Sequence, residues 1–188
     1  MKRLVIIDRD GVINEESLDF IKTPQEWIPI AGSLEAITRL NHGGYRVVIA
    51  TNQSGVGRRK LDIEMLNRIH ALMMAQLAEL GGRIDAIFFC PHTPRDNCDC
   101  RKPKPGMLLQ ISERLRISLT GVPSVGDSAR DLQAAQAAGA EPHLVLTGNG
   151  LVTEASANLP PGTTVHADLA AFADELLREQ TPNEFLST

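Results

Sequence analysis

Leu4-Val5-Ile6-Ile7-Asp8-Arg9-Asp10-Gly11-Val12-Ile13-Asn14 decides how this chain folds. Four consecutive aliphatic residues read as a strand buried on both faces. The strand ends in two carboxylates spaced two residues apart, followed at once by a glycine. In an open α/β sheet, ligands gather beyond the carboxyl ends of the strands. Two aspartates that close repel each other and need a cation or a shared proton. Taken alone, the pattern also fits a strand-ending acid and an Asp-Gly turn, so the rest of the chain has to choose.

Outward from that stretch, strand and helix signals alternate. Asn14 to Ile30, with Pro24, Trp27 and Pro29, reads as a long loop or small flap. Gly32-Ser33 caps a helix to about Asn41, and His42-Gly43-Gly44 stops it. Tyr45 to Ala50 is a second strand, leading into Thr51-Asn52-Gln53-Ser54-Gly55. Asp62 caps a helix in which Ile63, Leu66, Ile69, Leu72, Met73 and Leu77 recur at helical spacing. Asp85 to Phe89 is a third strand, Gly106 to Leu115 a helix, and Val122 to Val125 a fourth strand ending at Gly126-Asp127. Asp131 to Ala138 is helix, His143 to Leu146 strand, Val165 marks a short edge strand, and Asp168 to Arg178 is a last amphipathic helix. The tail from Glu179 reads as frayed. Gly148-Asn149-Gly150 reads as a turn, with a loop near the ligand as its alternative. His42, His70, His143 and His166 read as structural. The expected fold is a doubly wound α/β domain with a mostly parallel sheet and helices on both faces, spanning 1–188 as one unit.

Composition narrows the function class. With 188 residues, a net charge of -4 and 43% hydrophobic content, the balance disfavours a nucleic-acid or membrane-surface protein. No apolar run approaches the about 20 residues of a membrane span, and the first strand begins too early to leave room for a signal peptide. The expectation is a cytoplasmic protein, monomeric, with a small-molecule partner and neither nucleic acid nor membrane as partner.

In a parallel sheet the polar clusters after the strands reach one edge together: Asp8 and Asp10, then Thr51 to Ser54, then Arg101, Lys102 and Lys104, then Asp127 and Asp131. Asp8 and Asp127 offer oxygens to Mg²⁺. Hydroxyl, backbone and cationic donors beside them suit a phosphoryl group, whose transfer depends on positioning and charge neutralisation. A central aspartate can attack phosphorus, and a neighbouring carboxyl can move the protons.

Cys90, His92, Cys98 and Cys100 form a C-x-H-x5-C-x-C pattern. Three cysteines within eleven residues cannot make a disulfide framework, whereas a Cys₃His set suits tetrahedral Zn²⁺ with no open position for catalysis. The metal is read as structural. It would pin a loop poor in apolar residues and fix Arg101 and Lys102, which follow the last ligand.

Asp8-Arg9-Asp10-Gly11-Val12, Thr51, Lys102 and Gly126-Asp127-Ser128-Ala129-Arg130-Asp131 resemble, in order and spacing, the four motifs of the haloacid dehalogenase (HAD) phosphohydrolases. Val12 departs from the usual Thr, which touches a supporting position only. The resemblance implies a Rossmann-like fold with only a minimal cap, Asp8 as nucleophile, Asp10 as acid/base, and Thr51 and Lys102 on the phosphoryl oxygens. Mg²⁺ would be held by Asp8, the Asp10 carbonyl and Asp127. Asp131 is either an outer partner or a first-turn helix acid. Lys104 competes with Lys102, and the Arg101-Lys102-Pro103 match favours Lys102.

The cysteine loop is similar to that of two branches, the heptose-bisphosphate and the histidinol-phosphate phosphatases. A free-standing chain of this length favours the heptose branch, whose role would be to remove a 7-phosphate for lipopolysaccharide or surface-layer heptose. Arg101 would then meet the remaining phosphate or hydroxyls. Glu16, Ser17, Leu18 and Asp19 would contact the sugar, with Asn52, Gln53 and Ser54 beside the phosphate. The reading from another class is a non-catalytic zinc-loop binding module.

Overall fold

The structure is a computed structural model that describes residues 3–156 and 158–179. Six parallel strands form one sheet in the order β3-β2-β1-β4-β5-β6. They are β1 (Leu4–Ile7), β2 (Arg46–Asn52), β3 (Ala86–Cys90), β4 (Pro123–Gly126), β5 (Glu141–Val145) and β6 (Thr164–His166). The helices are α1 (Ser33–His42), α2 (Ser54–Gly57), α3 (Ile63–Glu79), α4 (Gly106–Leu115), α5 (Ala129–Ala138), α6 (Gly150–Ala155) and α7 (Leu169–Arg178). The chain winds from β1 out to β3, then returns to the other side of β1 and winds out to β6. The reversal falls between β1 and β4, where Ile6 pairs with Ser124 and Ile7 with Val125. Such a switch point opens a crevice beyond the strand ends.

Alternation along the central strands explains the two cores. Val5, Ile7, Val47 and Ile49 face α1, α3 and α7 on one side. Leu4, Ile6, Val48 and Ala50 face Met107, Leu108 and Ile111 of α4 and Ala134 and Ala135 of α5 on the other. Both faces are dry, which is why β1 reads as an unbroken apolar run. Leu66, Ile69, Met73 and Leu77 are fully buried along one stripe of α3, and truncating one to Ala costs about 2–5 kcal/mol.

Several boundaries differ from the sequence expectation. β5 begins at Glu141 and stops at Val145, because it is set by the register with Pro123 to Gly126 rather than by its own apolar residues. α5 starts at Ala129, since Ser128 and Asp131 form a capping box. Ser33 does not cap α1: Gly32 occupies that position at φ 81°, and the Ser33 hydroxyl donates to the Val12 carbonyl at 2.9 Å. Asp62 does cap α3, accepting from the Met65 amide at 2.7 Å. Two short helices, α2 and α6, lie where no helical period was legible. The flap closes on itself through Asn14–Pro29 bridging and a short turn at Pro24–Glu26. The expected fraying beyond Glu179 lies outside the described residues. Among those residues, no helix is long and apolar enough to cross a membrane.

Candidate active site

β1 delivers Asp8 and β4 delivers Asp127 to the crevice between them. The Asp8 amide donates to the Val125 carbonyl at 2.9 Å, so the ladder continues to Asp8 itself. Asp8, Asp127 and Asp131 bring carboxylate oxygens within 4.8 Å of one another. Lys102 arrives from beyond β3 with its chain buried. Its Nζ sits 3.0 Å from Asp8 Oδ2 and 2.5 Å from Asp131 Oδ1, and donates to the Ala50 carbonyl at 2.7 Å. Asn52 locks the backbone there, exchanging hydrogen bonds with the Lys102 amide and carbonyl. Lys104 points elsewhere, toward Asn97 and Asp99.

Electrostatics follow from burial. Desolvation, reinforced by Asp131, Asp127 and Asp10, pushes the Asp8 carboxyl well above its ordinary value despite Lys102. Burial and Asp131 push Asp127 up to about 6, against hydrogen bonds from Asn149. Burial also opposes ionisation of Asp10 and Asp131. It is outweighed by Arg9 at the first and by Lys102 at the second, and both stay below the usual range. Asp8 and Asp127, the two carboxyls whose ionisation burial opposes without being outweighed, are the pair that a divalent ion between them would hold anionic. Their all-oxygen donor set fits Mg²⁺.

Asp8, Asp10, Glu16, Ser17, Thr51, Asn52, Gln53, Ser54, Arg101, Lys102 and Asp127 line one open pocket. Thr51 Oγ1 accepts from Gln53 Nε2 at 2.9 Å. Arg101 is anchored by its Nη1 donating to the His92 carbonyl at 3.3 Å.

The cysteine loop closes beside it. Sγ of Cys90, Cys98 and Cys100 lie 3.2–3.6 Å apart, and His92 Nδ1 is 3.6 Å from Cys90 and 3.3 Å from Cys100. Tetrahedral Zn²⁺ with Zn–S near 2.3 Å needs sulfur–sulfur edges of about 3.7 Å. The four atoms are therefore already gathered at the vertices such an ion requires.

A D-glycero-beta-D-manno-heptose-1,7-bisphosphate 7-phosphatase of Bordetella bronchiseptica is 55% identical over 94% of this chain and 99% of its own. The enzyme of that name from Pseudomonas aeruginosa is 51% identical over 94% and 99%. This chain belongs to their family. The family model of HAD-hydrolase-like proteins matches residues 99–172. A crystal structure of the heptose-bisphosphate phosphatase from B. bronchiseptica, complexed with magnesium and phosphate, superposes with a TM-score of 0.93 over 94% of this chain and 99% of that one.

Within this heptose-bisphosphate phosphatase fold, the flap residues divide. Glu16 and Ser17 line the pocket, but Leu18 is fully exposed and Asp19 pairs with Lys22 and Lys60. The Ser17 hydroxyl donates to the Phe20 carbonyl, and that turn places residues 18 and 19 outside while Phe20 and Ile21 face in. Asp131 caps α5 and pairs with Lys102.

Other contributors escaped sequence reasoning. Asn149 donates to Asp127 Oδ2 through its amide at 2.8 Å and its side chain at 3.0 Å, and to Glu16 Oε2 at 3.1 Å. Thr147 and Thr153 donate to the carbonyls of Gly11 and Asp127. The Gly148 segment is therefore packed against Gly11 and Asp127. Arg130 also lines the pocket; the motif contained it, but nothing in its position marked its side chain.

Proposed function

We propose that this chain is a magnesium-dependent phosphoric monoester hydrolase that removes the 7-phosphate of D-glycero-β-D-manno-heptose 1,7-bisphosphate. The carrying observation is the Asp8 carboxylate at the switch point, held by Lys102 beside Asp127, in a chain 55% identical along nearly its whole length to an enzyme of that name. The β anomer comes from those relatives' names. Full-length identity to heptose-bisphosphate enzymes leaves the histidinol-phosphate and non-catalytic readings without support.

Asp8, the Asp10 carbonyl and Asp127 would hold Mg²⁺. Bound there, the ion keeps Asp8 anionic and neutralises phosphoryl oxygens. The Asp8 carboxylate attacks phosphorus, forming an Asp8–phosphorus bond as the bond to the sugar oxygen breaks. Asp10, ionised in the free enzyme beside Arg9, takes up a proton as the ester binds and gives it to that leaving oxygen. It then takes a proton from the water that attacks phosphorus and releases phosphate and free Asp8. Lys102 and Thr51 meet the phosphoryl oxygens, with Asn52, Gln53 and Ser54 around them. Arg101 and Glu16 face the substrate's remaining part.

Zn²⁺ on Cys90, His92, Cys98 and Cys100 is structural in this reading, leaving no ligand position for substrate. We place the enzyme in the cytoplasm as a monomer, supplying heptose for a surface glycan such as lipopolysaccharide.

Steady-state turnover of the heptose bisphosphate and of histidinol phosphate tests the assignment. Phosphate release should require Mg²⁺, favour the heptose substrate and vanish in Asp8→Asn. Faster turnover of histidinol phosphate would reverse it.

A further inference from the structure

We propose that Arg9, braced by His70, is a positioning residue that fixes the Asp10 carboxylate for proton transfer; this rests on the reading of Asp10 as the acid/base. Arg9 stands between the two aspartates yet is 0% exposed, the largest fully buried side chain in the described structure. Its guanidinium turns back on its neighbour. Nε lies 3.0 Å from Asp10 Oδ1, and Nη2 lies 2.7 Å from Oδ1 and 3.0 Å from Oδ2. The remaining arm, Nη1, meets His70 Nε2 at 3.2 Å. Asn14 Nδ2 adds a bond to Oδ1 at 3.0 Å and Gln53 Nε2 one to Oδ2 at 2.8 Å. A carboxylate gripped by a planar fork and two amides has no freedom left to rotate.

Stability alone does not account for this arrangement. A buried ion pair is often matched or bettered by well-packed apolar side chains of similar volume. What apolar side chains cannot supply is the angle of a carboxyl plane, and small misplacements of a catalytic group are costly in rate. His70 makes the fork depend on α3. Its ring packs edge-on to Phe89 of β3, with centroids 6.3 Å apart, so helix and strand both set where Nη1 rests. The Asp10 side chain keeps 21% of its surface exposed, on the pocket.

The discriminating readout is dependence on the leaving group. A proton from Asp10 matters for an alkoxide and little for p-nitrophenolate, which leaves without help. We expect Arg9→Met to lower kcat/KM for an alkyl phosphate, the heptose bisphosphate itself, by about 100-fold, the scale of general acid catalysis. With p-nitrophenyl phosphate the loss stays within about fivefold. His70→Leu should show the same selectivity at smaller size. His70→Gln, whose amide oxygen still accepts from Nη1, should stay near the parent enzyme. Where Arg9→Met unfolds the core, His70→Leu decides alone. Asp10→Asn is the reference. If it falls equally on both esters, the acid/base reading itself fails. If it is selective while Arg9→Met and His70→Leu lower both esters equally or neither, the positioning role of Arg9 is overturned and the acid/base reading stands.

Discussion

At Gly11 the backbone turns at φ 76°, and a Cβ placed there would lie 2.1 Å from Asp127 Oδ2. Gly148 comes equally close from the other side, at 2.3 Å. The two glycines let the first motif and the 147–153 loop close on Asp127 from both sides. Gly11→Ala must strain the turn and displace that carboxylate together. We expect a loss of about 1–3 kcal/mol in stability and at least about 100-fold in kcat/KM, measured by denaturation and steady-state kinetics. Protons compete with the metal here. The Asp127 carboxyl, raised from 3.8 to about 6 by burial and Asp131, holds its proton more tightly when folded. The metal-free chain has that stabilisation in full below its unfolded value and loses it as pH rises through about 6. Mg²⁺ gains over the same range. Calorimetric titration should therefore show tighter Mg²⁺ binding at about pH 7.5 than at about pH 5, and equal affinities would contradict the role of Asp127. Asp8, Asp10 and Asp127 were legible because spacing at strand ends carries them. The Arg9 fork and the Asn149 grip were not, because a side chain's direction is set by packing that no local pattern records.

Among the elements, the loop between β3 and α4 buries none of the residues from Pro91 to Arg101. Zinc would hold Cys90, His92, Cys98 and Cys100, and Arg101 takes its place from the His92 carbonyl. Lys102 has independent anchors in Asn52 and Ala50. Chelation of the zinc should consequently raise KM about tenfold, through Arg101, with a smaller effect on kcat; a fall in kcat alone would contradict this division. At the far edge of the sheet, His143 and His166 stack with Nδ1 and Nε2 3.0 Å apart, edge-on to Phe172 of α7. Glu175 reaches His166 Nδ1 at 3.3 Å. Burial, with His166 beside it, lowers His143 to about 4. The unfolded chain thus takes up a proton near 6.5 that the folded chain refuses, so stability present above that pH is lost as pH falls toward 4. The loss from His143 is about 3 kcal/mol at most. His143→Asn should flatten the fall in melting temperature between about pH 6.5 and pH 4.5, and an unchanged slope would sink the assignment. The cysteine pattern was readable because ligand spacing is local. α2 and α6 were not, being too short to show a helical period.

For the whole molecule, alternating strand and helix signals implied a parallel sheet, and parallel strands force their polar ends to one edge. That inference brings the segments at residues 8, 51, 102 and 127 to one edge, and one pocket holds all four residues. Strand order was not in the pattern. The reversal between β1 and β4 makes Asp8 and Asp127 neighbours, and long-range pairing decides it. The flap shows the same limit: its position over the site was legible, but a single turn at Ser17 and Phe20 decides which side chains face inward. What unites these levels is the claim that the chain's architecture exists to let one aspartate accept a phosphoryl group. Rapid quenching during turnover, followed by borohydride reduction, converts an acyl phosphate to homoserine at the residue that carried it. Peptide mass spectrometry should find homoserine at position 8, only with substrate and Mg²⁺ present. Homoserine at another position, or none at all while the quenched enzyme carries covalent phosphate elsewhere, would contradict the account.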